Sequence, residues 1–275
     1  MIERYLNPKI NSIWDDQNKF DTWKLVQEKY VETLEELGVA EKGIAKKINQ
    51  SKVQKDEVYK QEEVTNHDLA SFVDILQKKV GDGSNWIHYG LTSSDIVDTA
   101  NSVLIMQSLD YVKDLVNDLL STLQEKAVQE KDTLIIGRTH GVYAEETFLG
   151  NIFGNWHLEV ARGLNRLENS KNNISFGKLS GPVGNHSVVT SEMEKLTLDK
   201  LNLKPEQFAN QIVSRDRYAE VVCSLGILAS TYERIATNIR SYQRSEISEM
   251  YESFKDGQKV LRQCHIKRIL LVAKE

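Results

Sequence analysis

Prolines stand at only three positions, Pro8, Pro182 and Pro205, so residues 9–181 are free of the residue that most strongly interrupts a helix. Proline lacks a backbone donor and its ring collides with the preceding turn, so its absence over such a length predicts a mostly helical chain. Apolar residues carry the same message. Ile105, Leu109, Val112, Val116, Leu119 and Leu123 recur at three- and four-residue steps, one stripe of a helix of about six turns. Phe153, Trp156, Val160, Leu164 and Leu167 mark a second long helix. Val221, Leu225, Leu228, Tyr232, Ile235, Ile239 and Tyr242 mark a third, with a period of about 3.5 residues, as in a bundle seam. The expected fold is all-α. It comprises a helical N-terminal domain over 1–101, an incomplete long-helix bundle over 102–258 and a divergent tail over 259–275. Residues 177–190, with three glycines and Pro182, form the clearest non-helical excursion.

Charge and cysteine usage exclude several classes. Thirty-five Lys and Arg stand against 40 Asp and Glu, a net charge of −5, where a nucleic-acid-binding surface needs a basic footprint. Cys223 and Cys264 are too few for a disulfide framework or a metal site. Nothing resembles a signal peptide, and no window reaches transmembrane length. The expectation is a soluble, cytoplasmic protein with neither nucleic-acid nor membrane partners.

Four segments carry candidate chemistry. In the first, residues 90–100, Thr92, Ser93, Ser94 and Asp95 directly precede an apolar-periodic helix. Unpaired N–H groups and hydroxyls at a helix start cradle carboxylates or phosphates, although taken alone the segment reads first as a plain N-cap. The second, Gly137-Arg138-Thr139-His140-Gly141, sets a histidine among small neighbours, where a ligand can approach a ring that titrates near neutrality. A lone loop histidine is more often structural. In the third, Asn66-His67-Asp68 precedes an apolar stripe, and His88 lies just ahead of Gly90. In the fourth, Gln211 and the Arg215-Asp216-Arg217 cluster open the third long helix, as an ion-paired solvated face or as a polyanion site.

Taken in this order and spacing, these segments resemble the adenylosuccinate lyases of the fumarase/aspartase superfamily. The matching pieces are residues 1–5, 65–68, 88–95, 137–142, 178–184 and 211–220, and the likeness runs from residue 1 to about Lys259. The resemblance implies elimination of fumarate from adenylosuccinate, and from the related succinyl-carboxamide ribotide, without a cofactor or metal. It further implies a homotetramer with a shared bundle, each active site being built from three subunits. Carried over by position, His140 would be the general acid for the departing nitrogen, and His67 would support it and contact the substrate phosphate. Thr92, Ser93 and Gln211 would hold a succinyl carboxylate, and Arg4 and Tyr5 the nucleotide. Asn66, Asp68 and His88 complete the expected substrate-binding set. Two departures stand out. Asn66 replaces an arginine of many relatives, and Tyr143 with Glu145-Glu146 replaces a His-Ala-Glu-Pro pattern.

The tail departs further. In the family, Gly-Gln-Lys leads into Gly-Ser-Ser-Ala-Met-Pro-His-Lys-x-Asn-Pro-Ile-Gly-Ser-Glu, a mobile loop carrying the serine that abstracts the carbon-bound proton. Here Gly257-Gln258-Lys259 is followed by Val260-Leu261-Arg262-Gln263-Cys264, and residues 260–275 contain no serine. Permitted codons for Lys259 through Lys274, read one base earlier, spell the family loop. The expectation is a single-base deletion near the Gln258 and Lys259 codons and a chain truncated by it. The competing reading is a catalytically inactive helical fragment that binds nucleotide or other subunits.

Overall fold

The computed structural model of the chain describes residues 3–251; the tail of 259–275 and its frame-shift reading lie outside the described residues. The chain divides into two compact units, Met1–Tyr111 with Ser170–Glu220, and Val112–Asn169 with Val221–Glu275.

The first unit begins with a 3₁₀ turn, Glu3–Tyr5, and five helices: α1 (Pro8–Ile13), α2 (Asp16–Glu36), α3 (Ile44–Gln50), α4 (Lys55–Thr65) and α5 (Asp68–Val80). Their starts follow from local chemistry. Asn7 accepts from the N–H groups of Lys9 and Ile10 ahead of a proline at the first helical position, and Asp15 accepts from Gln17. The core is aromatic where α2 meets α5. Phe20 and Phe72 stack at 6.0 Å, and Trp23 meets both edge-on at 5.2 and 5.6 Å. Ile96, Ala100 and Val103, from the start of α6 (Ser93–Gln129), join this cluster with Leu179, Val189 and Leu198.

Residues 175–190 contain no helix, as their glycines and proline lead one to expect. Phe176–Gly177 (β3) pairs in parallel with Lys204–Pro205 (β4), on either side of α8 (Ser191–Lys200). Gly184 takes φ +74°, and a Cβ there would lie 1.9 Å from the Ala209 carbonyl oxygen. Backbone cannot yield as a flexible side chain can, so Gly184→Ala is expected to cost about 2 kcal/mol or more, read as a lowered urea midpoint. A midpoint unchanged from wild type would rule out this close approach.

The second unit holds the remainder of α6 and most of α7 (Leu149–Ile174) and α9 (Asp216–Tyr242). Val116 and Leu123, then Trp156, Val160 and Leu167, then Val221, Leu228 and Ile235 are buried, at the steps expected of seams. Gly163 on α7 permits a close approach, since a Cβ there would lie 2.8 Å from Leu228 on α9. Glu159 pairs with Arg234, and Lys113 with Glu168 at 2.7 Å.

One element departs from the all-helical expectation without changing the fold class. Leu134–Thr139 (β1) and Val142–Phe148 (β2) form an antiparallel hairpin. Its two-residue turn is His140-Gly141, with φ +55° and +76°. Both turn residues are left-handed, matching the twist of paired strands, and the β-branched Ile135-Ile136 run favours extended backbone.

Candidate active site

The site of the first unit is built around the N-terminus of α6. Asp95, the third residue of that helix, reaches back to accept the Thr92 backbone N–H at 2.8 Å, the carboxylate half of a capping box. Its side chain is wholly buried and ion-paired to the wholly buried Lys178, Nζ to Oδ1 at 2.5 Å. Lys178 also donates to the Gly181 carbonyl at 2.7 Å, while the Gly181 N–H donates to Asp95 Oδ2 at 3.2 Å. Burial pushes the Asp95 carboxyl above its ordinary range, and Lys178 with the two backbone donors opposes that shift. Thr99 Oγ1 accepts the Lys178 N–H and donates to its carbonyl, both at 3.1 Å. The loop after β3 is thereby tied to the first two turns of α6.

A second buried carboxylate on the same helix does the equivalent for residues 211–215. Asp98 accepts the Val213 N–H at 3.1 Å and pairs with Arg215 at 2.9 Å. Gln211, two residues before that anchor, is exposed.

His67 caps α5. Its Nδ1 accepts weakly from the Ala70 N–H at 3.4 Å, and its Nε2 lies 3.3 Å from Ser93 Oγ. Asn66 occupies the left-handed position ending α4, at φ +52°, which Asn tolerates better than most side chains. That backbone requirement is a local reason for an asparagine at position 66. Asp68, the first residue of α5, turns its carboxylate onto the Leu69 N–H.

His88 is itself left-handed, at φ +64°, and the buried Gln27 holds it by backbone and ring. Burial, and then the neighbouring His67, push the His88 imidazole down to about 4. An unfolded ring takes up its proton near 6.5, while the folded one stays neutral down to about 4. The contribution of His88 to stability is therefore present above pH 6.5 and is lost as pH drops toward 4, by on the order of 3 kcal/mol at most. Melting curves across that window check this. His88→Asn, which keeps the left-handed backbone, should flatten the slope; an unchanged slope would assign it to other groups.

The structure thus brings His67 and Ser93 into direct contact and places Thr92 beside them in sequence. Arg4 and Tyr5 lie in the exposed N-terminal 3₁₀ turn, and among the described residues no hydrogen bond joins them or Gln211 to the His67–Ser93 pair. His140 lies in the second unit, exposed in the hairpin turn. Two residues before it, Arg138 makes a bidentate pair with Glu249 at 2.8 and 2.9 Å and lies over the Tyr143 ring at 5.2 Å. Gln27, Asp98 and Lys178 are positions that sequence reasoning left without a role, and Asp95, read there only as part of a helix start, also anchors a buried ion pair. Asp95 and Lys178 fall within the matched segments, whereas Gln27 carries no local signal. Among the described residues no group of three or more His, Cys, Asp or Glu is placed to hold a metal ion, and no helix is long and apolar enough to cross a membrane.

The chain has clear counterparts among known proteins. Residues 9–259 match the family described as Lyase. The chain is 38% identical to the adenylosuccinate lyase of Helicobacter pylori over 94% of its own length and 59% of that protein. It is 40% identical to that of Thermotoga maritima, over 94% and 60%. The chain therefore spans about three-fifths of the length of these curated relatives. Among solved structures, a fumarate lyase from Mesorhizobium superposes with a TM-score of 0.82 at 20% identity, covering 88% of this chain and 58% of that one. A β-carboxy-cis,cis-muconate cycloisomerase from Acinetobacter calcoaceticus gives 0.81 at 21%, over 88% and 59%. The chain belongs to this lyase family, within the fumarase/aspartase superfamily.

Proposed function

We propose that the chain carries the fumarate-eliminating chemistry of an adenylosuccinate lyase in purine nucleotide synthesis, with the succinyl-carboxamide ribotide as a second substrate. The observation that carries this reading is the His67–Ser93 contact at the N-terminus of α6, in a chain whose relatives bear that lyase's name. A helix start with hydroxyls on it suits a carboxylate, and an imidazole beside it suits a dianionic substrate. Elimination breaks the carbon–nitrogen bond and forms the fumarate double bond. The carbon-bound proton goes to a base, and the departing nitrogen takes one from an acid.

In this reading His140 is the acid and His67 supports it. Thr92, Ser93 and Gln211 hold a succinyl carboxylate, Arg4 and Tyr5 the nucleotide, and Asn66, Asp68 and His88 line the site. The working form is a cytoplasmic homotetramer, and no cofactor enters the reaction.

The serine expected to act as base has no counterpart in residues 260–275, and we attribute this to a shifted reading frame. The 275-residue chain alone is expected to release no measurable fumarate, since a missing general base costs about 10²–10⁴ in rate. Resequencing across the codons for residues 255–265, followed by ultraviolet assay of the in-frame product, tests both parts. An extra base and turnover at a normal lyase rate would bear out the reading. An in-frame product that releases no fumarate would overturn it. A confirmed present frame would favour the second reading, an inactive helical fragment, which should then appear in mixed oligomers when co-expressed with an intact lyase.

A further inference from the structure

Gln27 lies in the middle of α2, wholly buried, 61 residues from the histidine it touches. Its carboxamide meets His88 at both ends: Oε1 accepts the His88 backbone N–H at 2.9 Å, and Nε2 lies 3.0 Å from ring Nδ1. The first contact removes any ambiguity from the second. A backbone N–H can only donate, so the carboxamide atom facing it is the oxygen. The other end is then the NH₂, which can only donate, so Nδ1 must accept. A neutral imidazole accepting at Nδ1 carries its proton on Nε2.

We infer that Gln27 is a positioning residue that locks His88 into the Nε2–H tautomer, so that this ring presents a hydrogen-bond donor and no free base. The left-handed backbone at His88 fits the same device, because the turn brings the residue's own N–H and its Nδ1 onto one carboxamide. Beside it stands His67, the titratable neighbour that acts on the ring through charge. Within the lyase reading above, on which this last step rests, His88 contributes a donor for an anionic substrate oxygen and takes no part in abstracting the carbon-bound proton.

The tautomer is measurable without turnover, so its failure and that of the lyase reading are distinguishable. In the ¹⁵N-histidine-labelled 275-residue protein at neutral pH, long-range ¹H–¹⁵N correlation should show His88 with a protonated Nε2 and an imine-type Nδ1. His88→Asn assigns the signal among the six histidines. Gln27→Glu keeps the shape and the acceptor for the backbone N–H but removes the donor to Nδ1. Its ring should shift to Nδ1–H or become doubly protonated, with the remaining histidine signals in place. A wild-type ring in the Nδ1–H form or in a tautomer mixture would overturn the inference, whether or not the variant folds. So would a Gln27→Glu protein whose His88 keeps the wild-type pattern.

Discussion

Replacing His140 by asparagine in an in-frame, full-length form of the enzyme is expected to lower kcat for fumarate release by about 10²–10⁴-fold while leaving the melting temperature nearly unchanged. The turn geometry dictates the choice of substitution. His140 sits at φ +55° beside Gly141, and the hairpin register Thr139↔Val142 depends on both turn residues being left-handed. Alanine would confound the loss of a proton donor with turn strain. Asparagine enters the left-handed region with little cost, so the hairpin closes as before. The side chain is exposed and is a partner in none of the hydrogen bonds described above, so little stability should be lost with it. If His140 is the acid, substrate binding survives and the chemical step fails. A variant with kcat within about three-fold of wild type would remove His140 from the proton transfer, since general acids contribute far more than that.

Lys178→Met is expected to be among the most damaging single substitutions in the first unit, at about 3–5 kcal/mol, the usual cost of leaving one member of a buried ion pair without the other. Lys178 and Asp95 are both wholly buried, and the ammonium also satisfies the Gly181 carbonyl. Removing it strands a carboxylate and a carbonyl together. At this chain length the loss corresponds to a fall in melting temperature of about 10 °C. The double variant Asp95→Asn with Lys178→Met should recover part of that loss, because no unpaired charge remains. If each single variant cost under about 1 kcal/mol, the pair would not be what ties the loop after β3 to α6. The expected functional consequence is loss of order at Ser93, since the same carboxylate holds Thr92.

How much of this was legible beforehand varied from residue to residue. Helical character and the bundle seams could be read directly, because a period near 3.6 or 3.5 is a local property, and Val116, Leu123, Trp156, Leu228 and Ile235 are buried as their spacing required. The hairpin was hidden. Ile135-Ile136 is a short apolar run with no clear period, and Gly137 interrupts it at an irregularity in the strand pairing. Thr92, Ser93, His67 and His140 could be singled out as candidates because helix starts and polar- or glycine-flanked loop histidines have signatures in sequence.

By itself, then, the sequence determined the helical class, the stripes, the turn-forming glycines and the order of motifs that places the chain in its lyase family. Only the tertiary structure decided what holds those motifs in place. Asp95 and Lys178 are 83 residues apart and Gln27 and His88 are 61 apart, and neither pairing follows from any local rule. The reason is dielectric as much as geometric. A carboxylate, an ammonium and a carboxamide are ordinary surface groups along an extended chain. Burial makes their pairing obligatory, because each unpaired polar group inside would cost more than the fold can spare.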